Sequence, residues 1–132
     1  MADTMTFELV SPEKKLVSMA VEAVTLPGTE GELTAMPQHA PFLTSLRPGV
    51  VTAMVGGATH RFVVTGGFVE VTNEEVGLVA EDAAEADAVD RDWLDTRIAS
   101  AETAVAEAAE ERKVREAQRL ADLRQLGQEL GL

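Results

Sequence analysis

The chain has no cysteine and no tyrosine, and its aromatic residues are one tryptophan and four phenylalanines in 132 positions. Without cysteine there are no disulfides, thiolate zinc sites, iron-sulfur clusters or cysteine nucleophiles, which fits a reducing compartment. So few aromatics leave little to line a sugar or nucleobase pocket. Basic charge is scarce too: 11 Lys and Arg stand against 23 Asp and Glu, for a net charge of -12. A phosphate backbone or an anionic lipid surface would repel such a chain, so no nucleic-acid partner is expected. The lysines are Lys14, Lys15 and Lys113, none of them after a glycine-rich stretch, so there is no P-loop. Long apolar runs are missing as well. The longest uncharged stretches, 33–46 and 48–60, fall short of the roughly 20 residues of a membrane span. The first residues carry no basic region ahead of an apolar run, which predicts no secretory signal.

Hydrophobic residues at 45% and charged residues at 26% are ordinary globular proportions, enough for one small domain with an appendage. The composition changes along the chain. All five prolines and eight of the ten glycines precede residue 80, whereas 12 of the 20 alanines follow it. Turn chemistry gives way to helix chemistry there, which predicts two parts, 1–84 and 85–132.

The first part alternates in short runs between turn signals, the pattern of an antiparallel sandwich or barrel. The spacing predicts strands over 5–10, 22–26, 50–55, 61–65, 68–71 and 76–80. Gly56-Gly57 and Thr72-Asn73-Glu74 supply the turns that join neighbours as hairpins. Phe7 and Leu9 share one face opposite Glu8, and Phe62 and Val64 share one opposite Arg61, so the sheet should have one wet side.

In the second part Leu94, Ile98, Ala101, Val105 and Ala108 form one helical stripe, capped by Asp90 and Asp92. Residues 81–111 carry 11 acids and two bases, and residues 112–132 three acids and five bases. The charge reversal predicts a turn near 107–111 and an antiparallel helix pair, with Val114, Ala117, Leu120 and Ala121 as the partners of the stripe. Leu120, Leu123 and Leu126 recur every three residues, so their apolar line drifts around the second helix.

Catalytic chemistry does not emerge. His39 and His60 have no helical spacing to carboxylates that would make a metal site or activate a serine. Glu30 and Glu32 flank Gly31 on one loop, where two carboxylates cannot oppose each other across a substrate. A solvated or partner-facing loop is the better reading. Gly66-Gly67 leads into a strand rather than a helix, which reads as a bulge or tight turn and not a nucleotide loop.

A set of ordered segments then points to a family. They are 9–13 (LVSPE), 27–33 (PGTEGEL), 37–44 (PQHAPFLT), 46–49 (LRPG) and 66–71 (GGFVEV). In this order and spacing they resemble the epsilon subunit of F-type ATP synthase over residues 5–80. The resemblance implies an α+β protein, a ten-stranded antiparallel β-sandwich at the amino-terminal end followed by a two-helix antiparallel hairpin. It implies a non-catalytic rotor subunit of the central stalk, needing no cofactor, that couples proton flow through the c-ring to ATP synthesis. The sandwich would bind the gamma subunit and the c-ring, at the cytoplasmic face of the bacterial plasma membrane and attached only through the complex.

By position in the family, Glu30 and Glu32 would meet polar loops of the c-ring, His39 would lie near that interface, and Ser11 would contact gamma. Solvated charge, a turn cap and loop packing are the alternative roles of these residues. Many members carry, on the first helix, a Leu or Ile, Asp, two spacers, Arg, Ala motif that binds ATP. Here Leu94-Asp95-Thr96-Arg97-Ile98 has one spacer fewer, which separates Asp95 and Arg97 by about 200° around the helix. Weak or absent ATP binding is expected. The family's second helix can also reach alpha and beta subunits and block hydrolysis. Arg112, Lys113, Arg115, Arg119 and Arg124 would serve that role, or would pair with acids of the first helix. The contrasting functional class is a free-standing small-ligand-binding sandwich with a helical lid, which would purify alone.

Overall fold

The computed structural model describes residues 4–38 and 40–132, and the chain divides into two compact units, Met1–Ala86 and Asp87–Leu132. His39 lies outside the described residues.

The first unit is built from ten strands: β1 (Met5–Val10), β2 (Lys15–Val21), β3 (Ala23–Gly28), β4 (Gly31–Ala35), β5 (Phe42–Leu46), β6 (Gly49–Val55), β7 (Ala58–Val64), β8 (Gly67–Val71), β9 (Glu75–Ala80) and β10 (Ala83–Glu85). The ladder runs β10-β7-β6-β3-β5-β8-β9-β1-β2, with β4 also paired to β3. All pairings are antiparallel except β1 with β9, which run parallel. The expected hairpins are present at Gly56-Gly57, between β6 and β7, and at 72–74, between β8 and β9. The layers separate at β3, whose residues 23–25 pair with β6 while Gly28 pairs with Leu46 of β5.

Strands β2 and β10 lie in stretches for which the spacing predicts no strand, whereas β4 and β5 are short strands of the kind expected between the proline breaks of 27–49. Each of them still sends side chains to the core, Val21 from β2, Ala35 from β4, Leu46 from β5 and the partly buried Ala83 from β10. The alternation elsewhere fills one core. Phe7, Leu9, Val24, Leu26, Val51, Val64, Val69, Val71, Val76 and Leu78 are buried in it. A buried leucine or phenylalanine of this kind contributes roughly 1.5–3 kcal/mol. Phe7 and Phe62 meet with ring centroids 5.9 Å apart, tilted by 44°. The one-wet-side expectation fails at the end of β7, where Val63 is buried on the face opposite Phe62 and Val64.

Gly67 is forced by its surroundings. Its φ is +143°, and a Cβ there would run into the Val79 carbonyl oxygen across the β8-β9 ladder. The pair Gly66-Gly67 is therefore a close backbone approach at a strand start, in keeping with the tight-turn reading.

The second unit contains α1 (Arg91–Glu107) and α2 (Glu110–Glu129). Asp90 caps α1, its carboxylate accepting the Trp93 N–H at 2.8 Å. No glycine or proline ends the helix. Ala108 and Ala109 instead take extended backbone, with ψ of 142° and 157°, and the chain reverses there, inside the expected 107–111. Lys113 Nζ donates to the Val105 carbonyl at 3.2 Å, satisfying an acceptor in the last turn of α1. Leu94 and Ala101 of the expected stripe are buried, and of the four predicted partners Leu120 is buried whereas the other three are corrected. Val114 is 82% exposed, and Ala117 and Ala121 are exposed as well. Leu120, Leu123, Leu126 and Gly127 form the buried side of α2. The buried side of α2 follows the three-residue leucine spacing toward the carboxyl end, where Leu120, Leu123 and Leu126 bury more apolar area than Ala117 and Ala121 could.

Candidate functional site

Register places the expected interface residues. Gly28 pairs with Gly31, so Thr29 and Glu30 form the two-residue tip between β3 and β4, and Glu32 pairs with Pro27 on the second rung from the tip. Both glutamates are exposed. Gly28 is level with Leu46, Leu46 with Gly67, and Gly67 with Ala80, whose neighbour Val79 pairs with Val10. Ser11, next along the chain, thus lies at the same end of the sheet as the Glu30 and Glu32 tip. Its amide donates to the Lys14 carbonyl at 2.9 Å and the Lys14 amide donates back at 3.2 Å, so Ser11 also closes the β1-β2 turn.

Residues 36–38 lie elsewhere. β4 carries the chain away from the Glu30 tip over five residues, about 17 Å, to a turn where Gln38 has φ +66° and its amide donates to the Asn73 carbonyl at 2.9 Å. The structure therefore groups Ser11, Glu30 and Glu32 and sets the Pro37 segment at the opposite end of the strands.

Between these ends lies a feature that the motifs did not mark. On the outer face of β5, β8, β9 and β1, register aligns Ser45, Phe68, Val79 and Val10 in one row. The next row is Leu43, Glu70, Gly77 and Glu8. Leu43 is 69% exposed, Phe68 59% and Val79 56%. Phe68 and Val79, directly opposite, have Cβ atoms about 5 Å apart, and Leu43 stands diagonally across from Phe68 at about 7–8 Å, within reach of large side chains, so the three form one apolar strip. An isolated exposed leucine needs no explanation, whereas three large apolar side chains on adjoining strands make a contiguous patch of the kind that interaction surfaces carry. The alternation in 67–71 and 75–80 held the signal, since Phe68 and Val79 occupy the wet positions of their strands.

In the helical unit three of the carboxyl-terminal bases have identified partners. Arg124 Nη2 lies 2.9 Å from Glu102 Oε2, joining α2 to α1. Lys113 caps α1, and Arg112 pairs with Glu116 of its own helix at 3.7 Å. Arg115 is exposed and Arg119 half-buried. Arg97 stacks on Trp93, its guanidinium carbon 3.8 Å from the ring centroid, and donates to the Trp93 carbonyl at 3.0 Å. Asp95 pairs instead with Arg91 at 3.7 Å, so Asp95 and Arg97 are held by different residues.

No cluster of three or more His, Asp or Glu that could hold a metal ion occurs among the described residues. What the geometry offers is surface: a rigid sheet with an acidic tip at one end and an apolar strip across one face.

Comparison with known proteins places this architecture. The family described as ATP synthase, Delta/Epsilon chain, beta-sandwich domain matches residues 4–86. The chain is 46% identical to the ATP synthase epsilon chain of Paracoccus denitrificans, over 100% of this chain and 94% of that one. It is 43% identical to that of Ruegeria sp. strain TM1040 over the full length of both. Among solved structures, one chain of a Euglena gracilis mitochondrial ATP synthase assembly containing OSCP, F1 and the c-ring aligns with TM-score 0.73 and 22% identity. That alignment covers 96% of this chain and 81% of the other, and it shows the shared fold.

Proposed function

This chain belongs to the ATP synthase epsilon chain family, a non-catalytic central-stalk subunit of that complex, and we propose that its sandwich is the part that couples rotation to the rest of the machine. In this reading the apolar strip Leu43, Phe68 and Val79 seats on the gamma subunit, and the acidic tip Glu30 and Glu32 meets the polar loops of the c-ring, with Ser11 between the two surfaces. A subunit that carries torque needs a stiff body and two distinct faces. The hydrogen-bonded ladder and its single filled core provide the first, because packed interiors transmit strain rather than absorb it. The strip and the tip provide the second. Family membership sets aside the free-standing ligand module.

The exposed strip is the observation that carries the reading, since a sandwich working alone would leave that apolar surface in water. The chain would work at the cytoplasmic face of a bacterial plasma membrane. It would be held there by its partners, and among the described residues no helix is long and apolar enough to cross a bilayer. The helical unit, through Arg115 and with Arg112, Lys113, Arg119 and Arg124 released from their present partners, would reach alpha or beta subunits and regulate hydrolysis. Affinity purification of the tagged chain from detergent-solubilised membranes tests the assignment. Alpha, beta, gamma and c subunits are expected together in the eluate, and recovery of the chain alone overturns it.

A further inference from the structure

Gly77 leaves a gap in the outer face beside the apolar strip. It lies in register between Glu70 of β8 and Glu8 of β1, and its own strand places Glu75 two residues away on the same face. A Cβ built on Gly77 would meet only Glu75 Oε1, at 3.7 Å, so the position is open outward. Glu70 and Glu8 stand two strand spacings apart, about 10 Å, with a bare backbone between them. Glu70 and Glu75 are exposed, and Glu8 is half-buried with Lys15 3.7 Å from its carboxylate. One wall of the gap is apolar, formed by Phe68 and Val79 in the adjoining row, and the other is anionic.

We propose that the gap over Gly77 receives a lysine or arginine side chain of the protein that docks on the Leu43, Phe68 and Val79 strip, making Gly77 and Glu70 determinants of partner choice. The strip selects an apolar ridge, and the carboxylates select a cation one row away. The stem of a long basic side chain would lie along Phe68 and Val79 while its head reaches Glu70 and Glu75. Any side chain larger than glycine at 77 would occupy that path. The inference rests on the reading of the strip as the gamma-facing surface, and it adds the charge that this partner must present.

The test uses the full chain and the gamma subunit of the same ATP synthase, with affinity measured over a range of salt. The backbone at Gly77 is not in the left-handed region, so Gly77→Val should fold, and a β-branched residue suits a strand. Gly77→Val is expected to keep or raise Tm while weakening gamma binding about tenfold, as when one well-seated side chain is displaced from an interface. Glu70→Gln is expected to flatten the salt dependence of association, as removal of a charge beside an interface does. If Gly77→Val unfolds the chain, the Glu70→Gln measurement decides alone. Wild-type binding by Gly77→Val, or a salt dependence unchanged in Glu70→Gln, overturns the gap. Failure of the wild-type chain to bind gamma overturns the assignment of the strip itself, which is a different result.

Discussion

Gly127 of α2 lies directly against Leu94 of α1, so close that a Cβ on the glycine would stand 3.0 Å from Leu94 Cδ2. Both residues are buried. The helices can approach at this level only because one of them has no side chain there. Gly127→Leu is expected to destabilise the helical unit by about 1–3 kcal/mol, the usual cost of overpacking a filled site. Thermal or urea melting of the full chain, followed by helical circular dichroism, checks this. An unchanged helical signal and midpoint would mean that Leu94 moves aside freely.

The strand start at Gly67 predicts a larger loss. Gly67→Ala combines a disfavoured backbone at φ +143° with collision against the Val79 carbonyl, and carbonyls in a ladder cannot swing away as side-chain tips can. A loss of roughly 2–5 kcal/mol in sandwich stability is expected. Denaturation followed by an amide-exchange or NMR signal from the β8-β9 pair would read it.

Both glycines show what the sequence makes legible and what it does not. Gly66-Gly67 announces a tight place by composition, and the strand alternation around it locates Val69 and Leu78 in the core. Phe68 and Val79 are readable as outward residues from the same alternation, yet their meeting in one strip depends on β8 and β9 being neighbours in a given register. Local pattern gives a residue's face but not its cross-strand partner. The parallel β1-β9 pairing is invisible for the same reason. In the hairpin, the charge reversal marks the turn, whereas the choice of Leu123, Leu126 and Gly127 over Val114 depends on how the helices cross.

Arg97 and Asp95 lead to a prediction about nucleotide. Arg97 is committed to the Trp93 ring and carbonyl, and Asp95 to Arg91. A site for ATP would need both side chains to leave these partners and converge from different sides of α1. The chain is expected to show no ATP binding by calorimetry at micromolar concentration. Micromolar affinity abolished by Arg97→Ala would show that the helix rearranges around the nucleotide.

The sandwich should stand without the helices. Its core residues, from Met5 to Ala80, all belong to the strand unit. A chain ending at Ala86 retains every member of that cluster and the β10 pairing with β7. It is expected to fold cooperatively and to bind gamma in pull-down. Loss of the β-sheet signal in the truncated chain would show that the core depends on residues beyond 86.

The acidic tip carries the last prediction. Glu32 pairs in register with Pro27 on the second rung beyond the Thr29-Glu30 turn, and it is exposed. Reversing its charge therefore leaves the fold intact, since an exposed side chain of this kind contributes little to stability, on the order of 0–1 kcal/mol. If the tip meets the c-ring, however, Glu32→Lys places a cation where the partner's polar loops expect an anion, and like-charge juxtaposition at an interface is costly. Proton pumping per ATP hydrolysed, measured in inverted membrane vesicles, is expected to fall while Tm and the yield of assembled complex stay unchanged. Glu32→Gln, which removes charge without reversing it, should lie between Glu32→Lys and the wild type. Full coupling in Glu32→Lys vesicles would move the c-ring interface away from this tip, leaving Glu30 and Glu32 as solvated charge on a tight hairpin.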